Sequence, residues 1–312
     1  MGPFSRREFL QAAVAGTAAS RAFPQIANAW GSPVLDFHFH YRRNHESMVA
    51  HMEGSGAARA VLLDAPDDDR YRAFHYSQAE KIEPADRFLK FASADMTSAD
   101  AVGVLRQAIR FGAIGFGELI SRVPVDGPEM RKAYALAAEL KVPVVVHFQE
   151  PATAGGAAFN TGFERLPELL REYQGTMFVG HAQSFWANIS EEVPPGVGYP
   201  SGPVKNGGLT DRMLSEYPNL YGDLSATSGL NALARDPDFS KDFLSRHQDK
   251  LLFGSDCNCS DGRGTGQDPR NPLASGKCIG RETLTKLKQL SSPGVFSKIT
   301  LENAVKLLRV PA

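Results

Sequence analysis

Cysteine is scarce in this chain. Only Cys257, Cys259 and Cys278 occur among 312 residues, too few for a disulfide-built scaffold. Charge of one sign is not in excess either. Lys plus Arg total 34 against 35 for Asp plus Glu, which excludes the basic footprint of a nucleic-acid partner and the pull of an anionic membrane. No Gly-rich phosphate fingerprint follows the first strand-like segment, which counts against an open, doubly wound nucleotide-binding sheet. The apolar run near the N-terminus is short and broken by Arg21 and Pro24, so no membrane span is expected in the mature form. What is there is ample: 42% hydrophobic and 22% charged residues suffice for a sizeable core.

The first 29 residues read as a leader. Arg6-Arg7 precede Phe9-Leu10 and an Ala-rich stretch, and Ala27-Asn28-Ala29 supplies small residues for cleavage. This layout resembles a twin-arginine export signal, against the alternative of a plain basic N-terminus. The expectation is an exported, periplasmic protein whose single domain spans 30–312, with a small-molecule substrate and an oligomeric state the sequence leaves open.

From Trp30 onward, short apolar runs recur at 34–40, 59–64, 88–95, 113–120, 143–149, 176–183, 219–226 and 250–256. Most are continuously apolar, as in strands buried on both faces of a parallel sheet. Helical patterns fill the gaps. One at 100–111 is read with Val104, Ala108 and Phe111 on its apolar face, and another at 239–247 starts after Asp236-Pro237. Eight such units predict an α/β fold, a single (β/α)8 TIM-type barrel. An open doubly wound sheet is the alternative. Stretches 185–206 and 257–280 read as long loops, and 150–161 as a shorter one. All follow strands, so in a barrel they lie over the C-terminal face.

Polar residues interrupt the apolar runs at their ends. His38 and His40 close the first; alternation in a strand turns both to one face. Glu118 sits near the end of the fourth, His147 ends the fifth, His181 the sixth and Asp256 the eighth. Alone, each has a plain reading as a buried histidine or a helix-capping aspartate. Together they place four of the eight histidines and two carboxylates at matching strand ends, where barrel enzymes build their sites. Burying such a set without a cation is costly, so a divalent metal is expected, with zinc first and manganese second.

In order and strand placement, His38-Phe39-His40, His147, His181 and Gly254-Ser255-Asp256 resemble the metal-dependent amidohydrolase superfamily, in its amidohydrolase-related branch of hydrolases and decarboxylases. Tyr221-Gly222-Asp223-Leu224-Ser225-Ala226 stands where that branch has its seventh strand. The resemblance implies one or two ions at the strand ends and a bound hydroxide as nucleophile. His38, His40 and Asp256 would hold one ion. His147 and His181 would hold a second, or His147 would join the first set while His181 positions water. The fourth strand has no lysine to bridge two ions; Glu118 bridges them, or is hydrogen-bonded beside a single one. Asp256 would be general base and then acid. The implied reaction is hydrolysis of an ester, lactone or amide-like bond. The alternatives are non-oxidative decarboxylation of a small, aromatic carboxylic acid, and a non-catalytic binding protein on the same barrel.

Weaker signals remain. Arg42, Arg43, Trp186, Lys205 and Arg263 could meet an anionic or aromatic substrate, or be surface residues. Asp67-Asp68-Asp69 reads as a turn. Met48, His51 and Met52 read as one helix face rather than a second metal site. Cys259 and Cys278 could pair, or stay as free thiols near the metal.

Overall fold

The computed structural model describes residues 29–42, 44–63, 85–152, 156–267 and 273–311. Residues 1–28 of the stretch read as a leader, Arg43 and Asp67-Asp68-Asp69 lie outside them. Eight parallel strands follow one another in chain order: β1 (Leu35–His40), β2 (Arg59–Leu63), β3 (Phe88–Lys90), β4 (Phe116–Leu119), β5 (Pro143–His147), β6 (Met177–His181), β7 (Leu220–Asp223) and β8 (Leu251–Leu252). Regular ladders join β1 to β3 and β4 to β8. A few backbone bonds beyond the regular ladders close each of the two gaps. Ala92 N donates to Gly115 O at 3.0 Å beside β4, and Phe37 N donates to Phe253 O at 2.9 Å between β1 and the end of β8. This is the TIM barrel that the strand count predicts.

Strand alternation sorts the side chains. Leu35, Phe37, Val61, Leu63, Phe91, Val145, Val179, Tyr221 and Leu252 pack into one enclosed cluster, while Val144, Val146, Phe178, Leu220 and Leu251 pack outward with the helices. His147 and His181 continue the inward rows of Val145 and Val179. In β1 the register shifts between Asp36 and Phe39. Leu35 to Phe39 are all buried, as in a strand covered on both faces.

The helices are α1 (His45–Ser55), α2 (Ala101–Arg110), α3 (Pro128–Leu140), α4 (Leu166–Glu172), α5 (Ala182–Ala187), α6 (Leu209–Glu216), α7 (Ala226–Ala234), α8 (Pro237–Arg246), α9 (Ile279–Leu290), α10 (Pro293–Ser297) and α11 (Asn303–Leu308). Asp236 caps α8 by accepting from Phe239 N at 3.1 Å. Some readings are corrected. The buried face of α2 is Ala101, Leu105 and Ala108, whereas Val104 and Phe111 are 42% and 56% exposed. Val104 and Leu105 are both in line with Ala101 and Ala108 at helical spacing, and packing against the barrel selects Leu105. The loop after β6 begins as α5, so Trp186 is core rather than a loop residue. All three cysteines are free thiols, so Cys259 and Cys278 are not paired. Among the described residues no helix is long and apolar enough to cross a membrane.

Candidate metal centre

At the C-terminal mouth of the barrel the strand ends converge. His38 Nε2 lies 3.2 Å from His40 Nε2 and 3.5 Å from Glu118 Oε2. His40 Nε2 lies 3.3 Å from Glu118 Oε2 and 3.4 Å from Asp256 Oδ1. His181 Nε2 lies 3.3 Å from Glu118 Oε1 and 3.7 Å from Asp256 Oδ2. Within this set, donor atoms of His38, His40 and Asp256, and of His38, Glu118 and His181, come within 4.8 Å of one another. Metal–nitrogen bonds of 2.0–2.1 Å in a tetrahedron give ligand edges of about 3.4 Å, close to these spacings.

The tautomers fit a cation as well. His38 Nδ1 donates to Asp223 Oδ2 at 2.6 Å. Ser225 Oγ donates to the same oxygen at 2.8 Å, so it accepts from His181 Nδ1 at 2.8 Å. Both rings are thereby held with Nδ1 protonated and the Nε2 lone pair aimed at the centre, the usual bracing of metal-bound histidine. Asp223 is fully buried. Burial pushes its carboxyl up, but His38 and His181 outweigh that and hold it below the ordinary range. Burial likewise opposes charge on His38, yet Asp223 and Asp256 lift its pKa well above the usual histidine value. The frame stabilises positive charge at its middle.

His147 is placed differently. Its Nδ1 faces Glu118 Oε1 at 2.6 Å and its Nε2 faces Gln149 Oε1 at 3.0 Å. Gln149 Nε2 donates to Ala157 O at 2.8 Å, which fixes the amide with its oxygen toward the ring. Both nitrogens of His147 thus face acceptors, and despite burial its pKa is raised, chiefly by Glu118. In return His147 and His181 hold the buried Glu118 carboxyl well below the usual range.

Backbone geometry delivers Asp256 to the rim. Its N–H donates to His38 O at 2.8 Å, and its φ of 42° lies in the left-handed region that non-glycine residues seldom adopt. Upstream, Gly254 passes so close that a Cβ there would sit 2.6 Å from both Asp223 Oδ1 and His38 Cβ. Asp36 Oδ1 accepts from Ser255 N at 2.8 Å and His38 N at 3.1 Å, tying β1 to the segment that carries Asp256.

Matching of the chain against family models gives the amidohydrolase family over residues 36–310. The protein belongs to the amidohydrolase family. The fold agrees. An uncharacterised TIM-barrel protein from Bordetella bronchiseptica is 15% identical, with 89% of this chain and 99% of that one covered and a TM-score of 0.58. A probable 2-pyrone-4,6-dicarboxylic acid hydrolase from Acinetobacter baumannii is 14% identical, with 89% and 100% covered and a TM-score of 0.55. A manganese-containing dihydroxybenzoic acid decarboxylase from Polaromonas is 16% identical, with 89% and 97% covered and a TM-score of 0.52. None of the curated proteins matches the sequence. For this amidohydrolase, hydrolysis and decarboxylation are both open to the fold.

Sequence reasoning named all six strand-end residues, quoted Asp223 and Ser225 only within the seventh-strand motif and without a role, and passed over Gln149. Asp223 ends β7 in an otherwise apolar Leu-Tyr-Gly-Asp, the same signal that marks Asp256. Of the weaker candidates, Arg42 donates to the carbonyls of Cys257 and Cys259. Lys205 is paired with Glu192, and Arg263 is exposed. Trp186 is buried and donates Nε1 to Asp223 O at 2.7 Å, which ties it to the end of β7.

Proposed function

We propose that this amidohydrolase is an exported, metal-dependent hydrolase acting on an ester, lactone or amide-like bond of an uncharged small molecule. The observation that carries the reading is the convergence of His38, His40 and Asp256 on one point, with Glu118 and His181 beside it. Their nitrogen and oxygen donors suit zinc, with manganese second. A divalent ion held there brings the pKa of water from 15.7 toward ~7 and polarises a carbonyl. The two-ion arrangement asks His147 for a lone pair that its two acceptor neighbours do not leave it. One ion is therefore assigned to this centre, with His147 as the cationic brace of Glu118.

Asp256 is partly exposed at the rim. It takes the proton of the attacking water and passes it to the leaving group. His181, fixed through Nδ1, points Nε2 into the same space and orients the reacting oxygen. A cavity of about 530 Å³ opens beside the centre, lined by Gln149, Glu150, Phe163, Gln183 and Tyr199 among others. Its lining holds amides, a phenol, two carboxylates and apolar surface, with no lysine or arginine among the described residues. That chemistry receives a neutral acyl compound better than a free carboxylate.

Decarboxylation is the second reading, supported by the shared barrel of the Polaromonas decarboxylase. A panel of lactones, esters, amides and aromatic carboxylic acids separates the two. Turnover of a neutral acyl substrate, abolished by a chelator and restored by zinc or manganese, supports hydrolysis; carbon dioxide release from an aromatic acid overturns it. Export rests on the Arg6-Arg7 leader. Lysine at both positions should leave the full-length chain in the cytoplasm, and unchanged secretion would rule out that route.

A further inference from the structure

All three cysteines of the chain, far from α1 in sequence, meet one of its histidines in space. Donor atoms of His51, Cys257, Cys259 and Cys278 lie within 4.8 Å of one another, and all four residues are buried. Cys257 Sγ is 3.3 Å from Cys259 Sγ and 3.9 Å from Cys278 Sγ, and Cys259 Sγ is 3.4 Å from His51 Nδ1, a nitrogen that also faces the single acceptor Cys259 O at 2.9 Å, so that its proton must pass to Nε2 when an ion binds. Zinc–sulfur bonds near 2.3 Å and zinc–nitrogen bonds near 2.0 Å in a tetrahedron give edges of about 3.8 Å between sulfurs and about 3.5 Å from sulfur to nitrogen. The observed sulfur–sulfur edges bracket the first value, and the sulfur–nitrogen edge lies close to the second.

We propose that His51, Cys257, Cys259 and Cys278 form a second metal site, a closed Cys3His site that holds a structural zinc ion. Three observations favour it over a pocket of idle thiols. First, the four ligands come from three separate segments, α1, the stretch after β8 and the residue that caps α9, and no two sulfurs are joined as a disulfide. Second, Ile279 N donates to Cys257 Sγ at 3.3 Å, the kind of outer hydrogen bond that steadies a ligating thiolate. Third, Arg42 donates to the carbonyls of Cys257 and Cys259 at 2.5 and 2.6 Å. Binding zinc to three thiols and an imidazole releases three protons and leaves the complex with one net negative charge, which the Arg42 guanidinium offsets. Four protein donors leave no open position, so the site is structural, and its sulfurs prefer zinc to the harder manganese. It fastens α1, which follows the His38–His40 strand, to the segment that begins at Asp256.

The test uses full-length protein. An organomercurial titrating the native thiols should release one equivalent of zinc as three thiols react, detected with a zinc indicator. Protein loaded with cobalt should show a sulfur-to-metal charge-transfer band in the near ultraviolet, which nitrogen and oxygen ligands do not give. Asp256→Asn should keep band and release, and Cys278→Ser should lose both. Should Cys278→Ser fail to fold, the wild-type spectrum still decides. Three thiols that react without releasing zinc, a wild-type spectrum lacking the band, or a single titratable thiol would each overturn the site. None of these readouts depends on the reaction at the barrel mouth.

Discussion

Asp223 shows how much one carboxylate can govern. It touches no solvent, yet it sets the tautomer of His38 directly and that of His181 through Ser225. Replacing such a brace costs metal affinity about 10–100-fold. Asp223→Ala should weaken binding by that factor in a chelator competition, with the far-ultraviolet circular dichroism unchanged. With the ion supplied in excess, Asp256→Asn should instead lower kcat by roughly 10²–10⁴, the span of general acid–base catalysis; steady-state kinetics at saturating metal separates that loss from the weaker binding that follows removal of a ligand charge. The residues that converge at the barrel mouth were legible in the sequence because a histidine or carboxylate at the end of an apolar run is conspicuous. Ser225 and Gln149 were not, since a hydroxyl or amide gains its meaning from the ring it touches.

Elements were legible where one face is apolar and hidden where packing decides. The order of strands followed from apolar runs, and the Asp236 cap from its type and the proline after it. The true face of α2 did not follow, because Val104 and Leu105 are equally apolar neighbours and only the barrel wall selects between them. Two element-level outcomes can be measured. Gly254→Ala places a methyl against Asp223 and His38, so overpacking of about 1–3 kcal/mol is expected, together with weaker metal binding than a remote alanine substitution gives. Between α6 and α8, Asp211 accepts from His247 and Arg246. Burial raises its carboxyl, but these hydrogen bonds prevail and its pKa is lowered. A carboxyl lowered in the folded state stabilises above its unfolded value, about 3.9, and loses that contribution as pH falls through the folded value. Asp211→Asn should therefore cost about 1–3 kcal/mol at pH 7, and urea unfolding should show the gap to wild type closing below about pH 4.

At the scale of the molecule, the eightfold alternation was readable from the first strand to the last, while closure of the ring was not. β8 has only two residues in regular pairing, and its link to β1 runs through Phe253, Ser255 and Asp256. Bound metal should strengthen that seam. With free ion a thousandfold above Kd, linkage gives about 4 kcal/mol, which at 2–4 °C per kcal/mol for a chain near this size predicts a melting point lower by roughly 8–16 °C after chelation, restored by adding the ion back. The protein also carries its own optical gauge of that event. Of its two tryptophans, Trp30 lies tilted against Phe296, well apart in the chain, while the indole of Trp186 donates to the peptide oxygen of Asp223. With Trp30 replaced by phenylalanine, a single emitter hydrogen-bonded to the brace of the centre would brighten, dim or shift in colour as ions arrive and leave.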